Sequence, residues 1–114
     1  MSYSLRTIPS FDRDAKRLAK RYRSLRDDLS RLARELQQDP LQGTDLGGGI
    51  RKIRFAIASK QSGKRGGARV IVHVELLAQT DGGTVCFLAL YDKSDRSTIS
   101  DNAIRQLLIE AGIV

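Results

Sequence analysis

With 114 residues, a formal net charge of +7 and a pI near 10.1, the chain is long enough for one modest core and is strongly basic. No apolar run approaches the ~20 residues that cross a bilayer, and Met1 to Ser10 lacks the apolar centre of a signal peptide, so one domain over 1–114 that stays in the cytoplasm is expected. The charge points to a polyanionic partner, nucleic acid ahead of an anionic membrane or an acidic protein.

In chain order, Ser2 to Ile8 predicts a short strand with Tyr3, Leu5 and Thr7 on one face, ended by Pro9. Ser10 is the expected N-cap of a helix in which Phe11, Ala15, Leu18, Ala19 and Tyr22 form the apolar stripe. A second start at Ser24, with Asp27 and Asp28 in its first turn, opens another stripe through Leu25, Leu29, Leu32, Ala33 and Leu36. The connection around Arg23 is short enough to make the two helices antiparallel neighbours. Asp39-Pro40 stops the second helix, and Gln42 to Gly49 reads as a loop whose three glycines turn the chain.

Lys52 to Ala58 alternates, with Ile53, Phe55 and Ile57 on one face and Lys52 and Arg54 on the other. A polar loop, Ser59 to Ala68, follows. Arg69 to Leu76 alternates again, Val70, Val72, Val74 and Leu76 against Arg69, Ile71, His73 and Glu75. With the valines inward, Arg69 and His73 share the open face with Lys52 and Arg54. Asp81-Gly82-Gly83 predicts a turn, Thr84 to Tyr91 an apolar central strand, and Asp92 to Thr98 a polar loop. Ser100 caps a last helix through about Ala111, with Ile104, Leu107 and Leu108 inward and Gly112 ending it. The single cysteine, Cys86, lies in an apolar run and reads as a small buried hydrophobe.

Charge is concentrated in one stretch. Arg51, Lys52, Arg54, Lys60, Lys64, Arg65 and Arg69 follow one another with no acidic residue between them, and together they match the net charge of the whole chain. No Cys/His/Asp cluster has metal-ligand spacing, and neither a G-x-S-x-G elbow nor a Walker loop is present, so no metal or cofactor is expected. Cations alone can hold a phosphodiester and stabilise the charge that develops at phosphorus when a neighbouring 2′-hydroxyl attacks. A base would add roughly 10²–10⁴-fold. Crowding Lys52 among Arg51, Arg54 and Arg69 is an environment that eases loss of its proton; His73 is a further candidate, while Tyr91 at its strand end reads as packing with its hydroxyl at the rim. The plainer reading of the same residues is a phosphate-holding surface without catalysis.

The segment GGIRKIRFAIASKQSGKRGGARVIVHV, followed by FLALYDKSDRSTIS and a short final helix, resembles the RelE/ParE superfamily of bacterial toxins, nearest the RelE and HigB branch. The helical pair from Ser10 to Leu36 and its Asp-Pro ending fit as well. The resemblance implies an α+β fold: a small twisted antiparallel sheet with an N-terminal helical hairpin on one face and a short C-terminal helix. It also implies a toxin that cleaves messenger RNA on the ribosome without a metal, with the ribosome, the message and a cognate antitoxin as partners; a heterotetramer with the antitoxin is one assembly it allows. Residue by residue, Lys52 and Arg54 match the paired basic positions of one strand, and Arg69 the arginine opening the next. Lys64 and Arg65 match the loop that grips RNA or ribosome, with Arg51 and Lys60 beside them, and Tyr91 and Lys93 fall where relatives carry an aromatic and a basic residue near the phosphate or a stacked base. The tyrosine that classical RelE proteins carry near the start of the final helix is missing from Ser100 to Val114, which leaves Tyr91 as its substitute. ParE proteins of the same fold poison DNA gyrase, so fold alone leaves that alternative open beside a non-catalytic RNA-binding domain.

Overall fold

A computed structural model of the protein describes residues 3–61, 63–77 and 82–114. The chain runs β1 (Tyr3–Thr7), α1 (Pro9–Arg21), α2 (Leu25–Gln38), β2 (Thr44–Gly47) and β3 (Ile50–Phe55). A 3-10 turn at Ala58–Lys60, one helical turn α3 (Gly63–Gly66), β4 (Ala68–Leu77), β5 (Gly82–Asp92) and α4 (Asp101–Glu110) complete it. The strands form one sheet in the order β1-β5-β4-β3-β2. Every joint is antiparallel except the outermost, where β1 lies parallel to β5. These two strands come from opposite ends of the chain, so no tight turn constrains their direction.

The expected α+β architecture holds, and its core follows from the alternation. Ile53, Val70 and Leu90 are register partners across three strands, all buried, on the face that α1 and α2 cover. Leu18, Leu25, Leu32 and Leu36 supply the helical side of this layer, and the rings of Phe11 and Phe87 meet at 5.2 Å. Between Ile71↔Ala89 and Val72↔Phe87 the register of β4 and β5 slips by one residue. This bulge lets Phe87 and Leu90 both reach the helical face despite their odd spacing.

Several local expectations are corrected. The stretch 42–49 is not all loop, because Thr44–Gly47 pairs with β3 as an exposed edge strand, and the positive φ of Gly47, Gly48 and Gly49 makes the turn between them. The loop 59–68 contains two short helical turns, with Ser62 outside the described residues. Helix α1 begins at Pro9, whose missing N–H costs nothing at that position; Ser10 donates from its backbone N–H and its hydroxyl to the Glu110 carboxylate instead of capping. Ser24 stands at the N-cap of α2, but its hydroxyl bonds Asp28 and Ser59. Gly82 and Gly83 belong to β5, paired with Leu77 and Leu76, while Ser2 and Asp81 lie outside the described residues. Leu76, placed inward by alternation, is exposed where β4 runs past its last pairing with β3 at His73. Ser100 does cap α4, accepting from the Ala103 N–H at 3.1 Å.

The largest departure concerns the second face of the sheet, which is only half open. Helix α4 and the C-terminal residues lie across it: Ala103 and Leu107 face Ala89, Ile104 and Leu108 border Ile50, and Ile113 borders His73 and Cys86. Ile71 is fully buried there for that reason, and Cys86 is buried as expected. At one end of this face Lys52 is half-buried and Arg54 exposed, and at the other Glu75 is exposed.

Candidate active site on the uncovered end of the sheet

Antiparallel register decides which side chains can meet. Arg54 of β3 stands opposite Arg69 of β4, which stands opposite Tyr91 of β5, so the three form one row on one face. Across such pairs Cα atoms are ~4.5–5.5 Å apart, close enough for two guanidinium groups to share one phosphate. Lys52 is two residues along β3, in the next row on the same face, opposite Ile71 and Ala89. At the end of this row, the Lys93 N–H donates to the Gly67 carbonyl at 3.1 Å, which draws the Tyr91-Asp92-Lys93 segment against the loop bearing Lys64 and Arg65.

The continuous run of basic residues divides into separate groups. Lys52, Arg54, Lys64, Arg65 and Lys93 make no side-chain hydrogen bond or ion pair among the described residues, which leaves their charges available. Arg69 is otherwise employed. It is only 5% exposed, and its guanidinium donates to the carbonyls of Lys64 (3.1 Å), Ala68 (3.4 Å) and Arg65 (3.0 Å). The fork thus clamps the basic loop from beneath. Burial, then the neighbouring Arg54 charge, lower its pKa, and a guanidinium stays protonated regardless.

Arg51 and Lys60 are placed elsewhere. Arg51 pairs with Val72 and so points away from Lys52; its side chain donates to the carbonyls of Gln42 (2.7 Å) and Gly43 (3.1 Å), with Asp45 at 3.9 Å. It pins the entry to β2 and does not crowd Lys52. The Lys60 ammonium lies 2.7 Å from the Asp92 carboxylate in an internal ion pair. His73 is opposite Ile50 and Cys86, beside a cleft formed with Arg6, Glu75 and Thr84. Four residues beyond Arg69 along β4, it is ~13 Å from the arginine row.

Sequence reasoning missed Asp92 and Arg96. Asp92 is fully buried and accepts from Lys60, Arg21 (3.1 Å), Tyr22 and the Ser94 N–H (3.0 Å). Burial pushes its carboxyl up, but the hydrogen bonds from Lys60, Tyr22 and Ser94 overcome this and hold it well below the usual range. An aspartate between an aromatic and a lysine in a polar loop carried no sequence signal of such a hub. Beside it, Tyr91 is 5% exposed and its hydroxyl has no hydrogen-bond partner among the described residues. Burial raises its pKa, against the opposing charges of Arg69 and Arg96, so near neutral pH it holds its proton. The Arg96 guanidinium lies 5.7 Å from its ring centroid.

Among the described residues no helix is long and apolar enough to cross a membrane. The arrangement is one of positioned cations and a phenol, with chemistry suited to a phosphodiester. Residues 11–114 match the family model described as the RelE toxin of the RelE / RelB toxin-antitoxin system. That match runs from within α1 through Val114, and the chain belongs to the RelE toxin family, whose members pair with RelB-type antitoxins.

Proposed function

We propose that the protein is a ribosome-dependent, metal-independent endoribonuclease that arrests translation by cutting messenger RNA in the cytoplasm, and that a cognate antitoxin restrains it. The observation that carries this reading is the Arg54–Arg69–Tyr91 row, with Lys52 alongside on the same sheet face and Arg54 exposed at its end. Arg54, exposed and unpaired, contacts the scissile phosphate as the 2′-hydroxyl attacks. Arg69 adds its charge from below and holds the loop from which Lys64 and Arg65 grip the RNA backbone, with Lys93 across from them. Lys52 is the candidate base. Tyr91, which keeps its proton, is better suited to donate to the leaving oxygen than to accept from the nucleophile.

Purified toxin added to ribosomes paused on a defined message tests this, with the cut located by primer extension. Arg54→Ala is expected to slow cleavage about 10²–10³-fold, the usual consequence of removing one donor to developing oxyanion charge. An intact message with the wild-type protein, accompanied by trapped DNA breaks in a gyrase assay, would reject the ribonuclease reading for a gyrase poison. Tight RNA binding without fragments would reject it for a binding module.

A further inference from the structure

A buried hydroxyl with no partner is rare in folded proteins and calls for a physical reason. At Tyr91 the group over the ring is Arg96, whose own side chain makes no hydrogen bond or ion pair among the described residues and rests on the ring face alone. Arg96 sits on a turn in which the N–H groups of Asp95 and Arg96 donate to the Asp92 carbonyl at 3.0 and 3.3 Å. Asp95 in turn pairs with Arg21 of α1 at 3.1 Å, both side chains remaining nearly half exposed. Every residue from Lys93 to Thr98 is exposed. Next to this turn, β1 ends opposite Phe87, and the outer edge of β5 beyond it borders a cleft of about 410 Å³ lined by Tyr91, Asp95, Arg96, Ile99 and Leu107. There is room for Arg96 to move into.

We propose that Arg96 is a cover over Tyr91, kept shut by the Arg21–Asp95 ion pair, and that a phosphate group of the RNA draws it aside to uncover the phenol. This rests on the ribonuclease reading. An arginine held by a ring face makes a weak contact, whereas its planar fork binds phosphate oxygens in pairs, so an incoming phosphate competes on favourable terms. The exchange puts a second cation beside the reacting group and gives Tyr91 access to it in the same movement. In the free protein the phenol stays shielded, which keeps the site incomplete until nucleic acid is present.

Nitration of tyrosine by tetranitromethane, mapped by peptide mass spectrometry, reads the exposure of Tyr91 without any RNA. Asp95→Asn removes the latch while leaving the Arg21 contact to Asp92. It is expected to raise nitration at Tyr91 roughly two- to fivefold, which is what loss of one exposed ion pair is worth. Arg96→Ala raises it further, and inorganic pyrophosphate raises it in the wild type but not in Arg96→Ala. Cleavage of ribosome-bound message by Asp95→Asn rises in kcat/KM by a factor similar to that of nitration, because the rate follows the uncovered fraction. A solely structural turn would give no such gain. Nitration at Tyr91 that is unchanged in both variants, with native circular dichroism, overturns the proposal, as does a wild type that ignores pyrophosphate. If nitration responds in every arm while no form cleaves message, the ribonuclease reading fails and the cover stands.

Discussion

Replacing Asp92 by Asn removes one negative charge from beneath the candidate site and leaves the cations that surround it. The carboxylate is fully buried, while the Lys60 and Arg21 side chains that meet it are 20% and 45% exposed. Breaking a fully buried pair costs about 3–5 kcal/mol; because both cations keep contact with water here, about 2–3 kcal/mol is the better figure. Against a total of ~5–15 kcal/mol for a domain, that is a large share. It corresponds to a fall in Tm of about 8–18 °C for a chain of this size. The dependence on pH identifies the cause. The folded carboxyl is held below its usual range, so its stabilisation is complete above the unfolded value of ~3.9 and declines as pH falls towards the folded one. Urea unfolding of both proteins should therefore give a constant difference between pH 7 and pH 5. Below about pH 4 the difference should shrink at up to ~1.4 kcal/mol per pH unit. A difference under ~1 kcal/mol at pH 7, or one that persists unchanged to pH 3, would show that the hub is not electrostatic in the way described.

Other substitutions separate the basic residues by task. Lys64→Ala, Arg65→Ala and Lys93→Ala should each reduce the slope of log K against log salt for single-stranded RNA by about 0.7, as loss of one phosphate contact does, whereas Lys60→Ala leaves the slope alone and lowers Tm; a filter-binding titration and a thermal melt distinguish the two patterns. Arg69→Lys keeps the charge but loses the fork on the Lys64 and Arg65 carbonyls, and should cut cleavage at least ~10-fold for under ~2 kcal/mol of stability; wild-type activity would refute the clamp. Gly67→Ala would put a Cβ 2.2 Å from the Phe55 carbonyl oxygen, backbone that cannot yield cheaply, and is expected to lower Tm and weaken RNA binding together.

The longer strands, the helical hairpin and the face shared by Arg54 and Arg69 were legible because each rests on local periodicity: alternation in β3 and β4 fixes their faces, and the antiparallel register then fixes which residues meet. The fates of Arg51 and Lys60 were not legible, since a basic residue within a basic stretch looks the same whether its partner is a phosphate, the Gln42 carbonyl or Asp92. Contacts over that range in sequence depend on how the elements dock. The same holds for α4. Its inward stripe of Ile104, Leu107 and Leu108 was visible, but not that it covers the second face and buries Ile71. Tyr91 was a candidate through the family resemblance, its place at a strand end reading only as packing, while its shielding by Arg96 depends on the conformation of a loop whose sequence carries no periodic signal. The short β2 was hidden by the very glycines that make its turn.

The distribution of carboxylates gives the site its character. Asp28 is drawn into the start of α2, where it accepts from Ser24 and the Ala58 N–H; Asp45 faces Arg51, Asp92 is buried beneath the sheet end, and Asp95 is held by α1. Each of these acids lies within the basic part of the fold and none neutralises Lys52, Arg54, Lys64, Arg65 or Lys93. Like charges gathered in this way repel, and the repulsion is a standing cost to the free protein. A polyanion relieves it whether it is RNA or an acidic segment of an antitoxin. Any partner that binds only the folded form adds stability, about 2.7 kcal/mol at a hundredfold excess over Kd. On the proposed ribonuclease reading, the uncompensated field that would hold RNA makes a negatively charged antitoxin segment its natural competitor, so that substrate binding and restraint would draw on the same electrostatic term.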